Sequence, residues 1–304
     1  MFAHFVDVES KLKRIANLLN VNGDKKEITN DLKEIENYIT FIIKNHGNLH
    51  PNETTKLNQV LGVINTSVKS GLTLAAFESI KKGLNDIFNF TRVYLMRHPE
   101  KPKKGEISKW AEIEKIQKEV EMSRKGYTQA RTFARYLSEE VILCPKPVRV
   151  IFYCSEKPRT WLYAEIIRRE LVRLTSRYGK HIIIAEKITN HPALDFRFSK
   201  ECLAELDVEY KKSEFGAFTH WLQGTYKNCP DPRRVVDELT AWAKESLTHD
   251  STQAWTIVIG VSHSFIIDSF LLSKTNEHTS IIATADYAKF VGSSMYYKGK
   301  WYPF

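Results

Sequence analysis

The sequence predicts an α/β protein in which a three-layer sandwich with a mostly parallel central sheet follows an all-helical N-terminal domain. Up to residue 90, apolar residues recur at the i, i+3, i+4, i+7 spacing that is typical of amphipathic helices. Beyond residue 90, short runs rich in β-branched residues alternate with helical patterns, and this alternation indicates parallel βαβ units. We therefore expect a helical bundle over residues 1–90 and a second domain over residues 91–304.

Four helices are expected in the N-terminal region, and their apolar positions cover residues 7–19, 28–42, 57–64 and 72–88. The connections between them are short, which favours antiparallel neighbours. The region has no cluster of Cys and His residues and no glycine-rich phosphate loop. We interpret it as an accessory or interaction module. A homodimer contact, a site for a protein partner and a cap over a pocket all remain open.

The second region holds four strand patterns and three clear helical patterns. Strands are expected at residues 92–96, 148–153, 181–185 and 256–261, and helices at residues 127–137, 160–175 and 235–247. In open α/β sheets, ligands bind at the carboxyl ends of the strands. The residues that follow these strands are therefore the candidates for a functional site.

Charge and hydropathy narrow the range of partners. The chain of 304 residues carries a formal net charge of +9, which attracts phosphates and other anions. Because no compact run of Lys and Arg is interleaved with aromatic residues, nucleic acid is not expected as a partner. No apolar run approaches the ~20 residues that span a bilayer, and the first ten residues lack the features of a secretory signal. No membrane association is therefore expected.

Cysteine usage favours a reducing compartment. The four cysteines are scattered without a C-x-x-C pair, at Cys144, Cys154, Cys202 and Cys229. This spacing predicts neither a zinc ribbon nor a disulfide framework. The default location for such a chain is the cytoplasm.

Two arginines and two histidines fall at or near predicted strand ends: Arg97, His98, Arg159 and His263. A guanidinium group can hold an anionic tetrahedral group through paired hydrogen bonds, and a histidine can attack phosphorus as a nucleophile. Neighbouring cations disfavour the imidazolium form and would keep such a histidine neutral near pH 7. No H-E-x-x-H or D-x-D motif occurs, so neither a metal nor another cofactor is expected. The set indicates phosphoryl transfer through a phosphohistidine.

Four short segments follow, in order, the pattern of a known family. Residues 94–100, Y-L-M-R-H-P-E, match a strand that ends in R-H-G, and residues 122–130, M-S-R-K-G-Y-T-Q-A, match an L-T-x-x-G-x-x-Q-A element. Residues 155–165 contain S-x-x-x-R followed by Y-A-E where the family has a T-A-E-like trio, and residues 261–264, V-S-H-S, match a strand that ends in S-H-G. On these segments the chain from about residue 93 to its end resembles the histidine phosphatase superfamily, with its phosphoglycerate-mutase-like fold, and in particular its phosphatase-rich branch.

The resemblance implies roles for individual residues. His98 would be the nucleophile that accepts the phosphoryl group. The side chains expected to bind the phosphate oxygens or neighbouring parts of the substrate are Arg97, Arg159, His263, Ser155 and Ser264. Two positions depart from the family, because Pro99 and Ser264 each replace a glycine. Proline has no backbone N–H, so one donor to phosphate is lost at Pro99.

A carboxylic acid would protonate the leaving oxygen and then activate water. In many family members this acid lies in an L-x-E motif, which makes Glu205 the first choice. Glu214, directly before Phe215-Gly216, is the main rival, and Asp207 is the third candidate.

The function implied by the resemblance is that of a metal-independent phosphatase acting on a small phosphorylated substrate or on a phosphoprotein. Two alternatives remain. A phosphoglycerate mutase would have to keep water away from the phosphohistidine, and its first loop usually bears asparagine and glycine, unlike residues 99–104. A non-catalytic phosphate-binding or scaffold protein would bind without turnover.

Overall fold

The computed structural model describes residues 8–21, 23–45, 49–100, 122–144, 146–176, 181–195, 197–275 and 280–304. Its first four helices are those that the sequence predicts: α1 (Val8–Asn20), α2 (Lys25–Asn45), α3 (Pro51–Ser70) and α4 (Leu74–Ile87). Polar side chains cap the beginnings of α3 and α4. At α4, for example, Thr73 Oγ1 accepts a hydrogen bond from the backbone N–H of Ala76 at 3.1 Å.

Strands and helices alternate in the remainder of the described chain. In sequence order they are β1 (Arg92–Arg97), α5 (Arg124–Leu143), β2 (Val148–Cys154), α6 (Pro158–Thr175), β3 (Ile182–Asn190), α7 (Lys200–Tyr210), α8 (Glu214–Leu222), α9 (Pro232–Leu247), β4 (Trp255–Ser262), α10 (Ser264–Thr275), β5 (Tyr287–Val291), β6 (Ser294–Tyr297) and β7 (Lys300–Pro303). The four predicted strands are present as β1 to β4. Within the described ranges, every helix is too short or too polar to cross a membrane.

The seven strands form one mixed sheet in the order β3-β2-β4-β1-β5-β6-β7. The first four strands of that order are parallel, whereas β5, β6 and β7 add to the sheet in antiparallel fashion. The prediction of a mostly parallel sheet is therefore correct for only part of it. Tight turns with glycine at positive φ, Gly292 (φ 56°) and Gly299 (φ 84°), join the antiparallel strands.

The sheet has a hydrophobic core on each face. Along β1, Tyr94 and Met96 belong to the core that α5 and α6 cover, and Val93 and Leu95 belong to the core that α9 and α10 cover. Because successive side chains of a strand point to opposite faces, this alternation is what a sheet between two helical layers requires. The three-layer arrangement that the sequence predicts is thus present.

The N-terminal helices pack against one another and also against the rest of the protein. Their buried apolar residues belong to the same continuous cluster as α5, α6 and one face of the sheet. Tyr38 on α2 also donates a hydrogen bond to the carbonyl of Glu139 on α5 at 2.9 Å. The boundary near residue 90, and a partner or a dimer contact on these helices, stay predictions.

A buried ionic network joins these helices to the sheet. Arg92 at the start of β1 lies 2.6 Å from Glu53 on α3 and 2.8 Å from Glu140 on α5. Lys289 on β5 and the Tyr94 hydroxyl also contact Glu140, at 3.1 and 2.7 Å. Burial opposes the positive charge of Arg92, but the carboxylates of Glu140 and Glu53 outweigh it and raise the pKa of the guanidinium.

One expectation from the cysteines is wrong. Cys202 on α7 and Cys229, in the segment between α8 and α9, are joined by a disulfide, whereas Cys144 and Cys154 are buried free thiols. The pairing depends on how α7 folds back against a segment 27 residues further along, which spacing alone does not reveal. Because disulfides persist mainly in oxidising surroundings, the predicted cytoplasmic location gains no support from them.

Gly260 in the middle of β4 allows α9 to lie close to the sheet. A Cβ atom at this position would lie within 2.6 Å of Cζ2 of Trp242, whose indole is itself buried. We expect Gly260→Ala to destabilise the protein by about 1–3 kcal/mol, because a packed core cannot absorb the extra methyl group. Urea unfolding measures the change.

Gly62→Ala is the matched control for that variant. Gly62 lies on the exposed side of α3, and a Cβ atom there meets nothing within 4 Å. Alanine should stabilise this helix by about 0.5–1 kcal/mol. Equal unfolding midpoints for the two variants would contradict the packing described for Gly260.

Candidate functional site

The candidate site lies where three adjacent parallel strands end. In the register of β1 and β4, Arg97 is opposite Ser262, so His98 and His263 follow side by side. Backbone hydrogen bonds continue past the strands, from His98 N to Ser262 O at 2.9 Å and from Ser155 N, after β2, to Val261 O at 3.2 Å. Segments that are distant in the sequence therefore converge at one edge of the sheet.

His98 is held in one tautomer by its own loop. Its ring is 5% exposed, and Nδ1 lies 2.9 Å from the carbonyl oxygen of Pro99. Because a carbonyl can only accept, Nδ1 carries the proton and the lone pair of the neutral ring is on Nε2. The ring of Pro99 fixes φ and stiffens the loop. Pro99 has no N–H to donate, but its carbonyl oxygen accepts the hydrogen bond from His98.

A chain of hydroxyl groups orients His263, whose ring is 2% exposed. Arg159 Nη2 donates to Nδ1 at 3.3 Å, so Nε2 carries the proton and donates to Ser155 Oγ at 2.9 Å. Ser155 in turn donates to Thr160 Oγ1 at 2.8 Å, and Thr160 donates to the carbonyl of Lys157 at 2.7 Å. The rings of His98 and His263 lie with their centroids 5.2 Å apart.

Arg97 is positioned from two sides. Nη1 donates to the carbonyl of Ile282, and Nη2 lies 3.2 Å from Glu214 Oε1. The Ile282 loop is held in turn by Asp268, a buried residue of α10 that accepts a hydrogen bond from Ile282 N at 2.8 Å. Ser264 Oγ donates to the same oxygen of Glu214 at 3.1 Å. The Arg97 guanidinium is therefore fixed beside a carboxylate at the site.

Two helix N-termini point toward the same place. Arg159 is the second residue of α6, and α10 begins at Ser264, directly after His263. The first N–H groups of a helix and its dipole favour an anion at that end. Together with the arginines, they make this edge of the sheet strongly attractive to a tetrahedral oxyanion.

The glycine-containing motif of residues 122–130 supports the His98 loop. Ser123 caps α5 by accepting from Gly126 N at 3.1 Å. A Cβ atom on Gly126 would lie 2.9 Å from Glu100 O, so only glycine lets α5 approach the loop after β1 this closely. Gln129 accepts from Glu100 N at 3.4 Å and donates to Thr284 O at 3.1 Å, linking that loop to the one that holds Arg97.

The three candidate carboxylates occupy different surroundings. Glu214 contacts Arg97, whereas Glu205 binds Asn228 through both of its oxygens, and neither of the two is among the residues that line the cleft. Asp207 lines the cleft but is paired with Lys211 and half exposed. The structure thus brings Glu214, and not Glu205, next to the cluster of arginines and histidines.

A tyrosine that the sequence analysis did not single out also faces Glu214. Burial, followed by the nearby Glu214 carboxylate to which its hydroxyl is hydrogen-bonded, raises the pKa of Tyr210. The phenol therefore stays neutral at physiological pH and can donate to Glu214. Tyr210 lies beside Glu214 because α7 and α8 pack together, and no local sequence motif indicates this contact.

The cluster of arginines and histidines opens into one cleft of about 870 Å³. Besides Arg97, His98, Arg159 and His263, its lining includes Glu100, Lys157, Phe198, Lys200, Leu203, Ala204, Leu206, Asp207, Tyr210, Ser264, Phe265 and Thr284. Ser155 is not among them, because its hydroxyl is fully buried beneath His263. Of the two serines expected near the substrate, Ser264 lines the cleft and Ser155 lies behind His263, to which it is hydrogen-bonded.

Two further features of a reactive site would be a cluster of metal ligands and a reactive thiol. Among the described residues, no group of three or more His, Cys, Asp and Glu side chains is arranged to hold a metal ion. Cys154 at the end of β2 is the nearest thiol in sequence to Ser155, but burial raises its pKa to about 11. The thiol is therefore protonated at neutral pH and is a poor nucleophile.

Comparison with known proteins gives solved structures alone, since no family model and no curated protein matches the sequence. A mycobacterial glucosyl-3-phosphoglycerate phosphatase is 14% identical, with 65% of this chain and 88% of that chain covered, at a TM-score of 0.41. A phosphoglycerate mutase from Bacillus anthracis is 12% identical, with 71% and 92% covered, at 0.42. The protein histidine phosphatase SixA is 16% identical, with 65% and 86% covered, at 0.32.

These three structures are members of the histidine phosphatase superfamily, which is the family that the sequence motifs resemble. At such identities and TM-scores the similarity says nothing about activity. The function has to be argued from the site itself.

The hydroxyl chain beneath His263 can be tested by its effect on stability. Thr160→Val keeps the shape of the side chain but leaves the Ser155 hydroxyl without its acceptor, so we expect a loss of about 1–3 kcal/mol. Thr160→Ser keeps the oxygen and loses one buried methyl group, for a loss of about 0.8 kcal/mol. Urea unfolding of both variants measures the difference, and equal losses would show that the hydroxyl contributes nothing.

Proposed function

We propose that this protein is a metal-independent phosphomonoesterase in which His98 accepts the phosphoryl group of the substrate. The observation that carries the proposal is the 5.2 Å separation of the His98 and His263 rings in a cleft that also contains Arg97 and Arg159. Two guanidinium groups and two imidazoles around one volume suit a phosphate dianion and the charge that develops on its oxygens during transfer.

In the first half of the reaction, His98 Nε2 would attack phosphorus. An N–P bond forms and the ester P–O bond breaks, while Arg97 and Arg159 compensate the charge on the non-bridging oxygens. The hydrogen bond from Nδ1 to Pro99 O supports this step, because it keeps the proton on the nitrogen that does not attack.

Glu214 would serve as the acid in that step and as the base in the next. Once the bound phosphate shares Arg97, the Glu214 carboxylate would take up a proton from solvent. The carboxyl group would give that proton to the leaving oxygen and later take one from the water that displaces phosphate from His98. The support is its position beside Arg97, since the Glu205 carboxylate is bound to Asn228. We therefore propose Glu214 in place of Glu205, with Ser264 as the residue that holds it.

Hydrolysis is favoured over transfer to a second substrate position because water can reach the cleft. Leu203 and Tyr210 line it and are 44% and 47% exposed. A mutase has to keep its phosphohistidine dry between the two half reactions, and these exposed walls do not favour that.

The covalent step is tested by trapping the phosphoenzyme. Brief reaction with a ³²P-labelled phosphomonoester followed by denaturation in base should leave acid-labile label on the wild type and on His220→Ala, an exposed histidine outside the cleft. His98→Ala should carry no label and should lose at least about a thousandfold in kcat. Equal activity of His98→Ala and the wild type would show that His98 is not the nucleophile.

The acid is tested by how each variant depends on the leaving group. Glu214→Gln should reduce kcat/KM about 10²–10⁴-fold for n-butyl phosphate, whose alkoxide needs a proton, and far less for 4-nitrophenyl phosphate. kcat/KM is the right quantity because it reports the steps up to cleavage of the ester. Glu205→Gln is the matched control and should stay within about twofold on both substrates. The reverse result would assign the acid to Glu205.

A further inference from the structure

The cleft extends well beyond the groups that would bind phosphate. Beside the cluster of arginines and histidines lies an apolar wall made of Phe198, Leu203, Ala204, Leu206, Tyr210 and Phe265. Three of these residues, Phe198, Leu206 and Phe265, are buried and anchor the wall in the core beneath it. A volume of about 870 Å³ is far more than one phosphate group fills, so the wall is where the rest of a substrate would lie.

The outer part of the wall is exposed although it is apolar. Leu203 and Tyr210 are seven residues apart and therefore lie on one face of α7, about 10 Å apart along the helix. They are 44% and 47% exposed. Apolar surface in a concave site gains most when a ligand of the same character covers it.

Groups that would recognise a polar leaving group are sparse on this wall. Asp207 is turned to an ion pair with Lys211 on the same helix. Outside the phosphate cluster, the cations that line the described part of the cleft are Lys157 and Lys200, and both are exposed. The other polar residues of the lining already have partners, since Ser264 donates to Glu214, Thr284 accepts from Gln129 and Glu100 pairs with Lys125. A carboxylate or a set of hydroxyl groups on the substrate would therefore find water more readily than an unengaged partner.

From this we infer the substrate class: a phosphomonoester of an apolar alcohol, whose alkyl or aryl group lies along α7 while its phosphate is held by Arg97 and Arg159 beside the two histidines. The inference rests on the proposed phosphatase function. It adds the leaving group, which the phosphate cluster alone does not define.

A series of n-alkyl phosphates from ethyl to hexyl tests the inference, because their leaving groups have nearly the same intrinsic reactivity. We expect kcat/KM to rise about two- to fourfold for each added methylene until the wall is covered. Propyl phosphate should be a better substrate than glycerol 3-phosphate, which has the same carbon skeleton with two hydroxyl groups. A flat series, or preference for glycerol 3-phosphate, would overturn the inference and leave the phosphatase function standing.

Two variants on the same helix locate the effect. Leu203→Ala should lower the ratio of kcat/KM for hexyl over ethyl phosphate at least about fivefold, because it removes exposed wall. Val208→Ala is the matched control, since Val208 is 65% exposed on α7 and does not line the cleft; its ratio should equal that of the wild type.

The remaining outcomes also decide the question. Equal ratios in Leu203→Ala and Val208→Ala would overturn the assignment of the wall. No turnover of any member of the series, nor of 4-nitrophenyl phosphate, by wild type and His98→Ala alike would remove the proposed function and the inference together.

Discussion

The parallel pairing of β1 with β4 is the constraint on which the site depends. Because Arg97 is registered with Ser262, the residues that follow, His98 and His263, emerge side by side at the same edge of the sheet. A shift of one residue would turn every side chain of β1 to the other face and separate the two rings. The register is secured by burial on both faces, since each face of β1 belongs to its own hydrophobic core.

Around this pair of histidines, hydrogen bonds between protein groups hold the side chains of the site in place. The Pro99 carbonyl selects the tautomer of His98, and the Ser155–Thr160 chain selects that of His263. Gln129 joins the two loops that carry His98 and the partner of Arg97. These partners are backbone groups or side chains on α5, on α6 or directly after β2, so the geometry is prepared before any ligand arrives.

Much of this could be predicted from the sequence, and the limits have physical causes. Buried parallel strands are nearly continuous apolar runs, which made β1, β2 and β4 and the polar residues after them visible. β5 was not predicted because Lys289 interrupts its apolar pattern. This buried lysine is paired with Glu140 on α5. The local L-x-E motif ranks Glu205 ahead of Glu214, whereas which carboxylate lies beside Arg97 depends on how α7 and α8 pack.

The disulfide lies beside only one of the two halves of the cleft. The phosphate cluster is built on strands and the helices that follow them, whereas Leu203 stands next to Cys202, whose sulfur is bonded to Cys229. Disulfide exchange therefore bears on that half only, since Cys154 beside the phosphate cluster is a buried thiol whose pKa is raised by burial. A preparation in which the disulfide is partly reduced would contain two kinds of molecule. Both would share the same oxyanion site, but they would differ in how the wall formed by α7 is anchored.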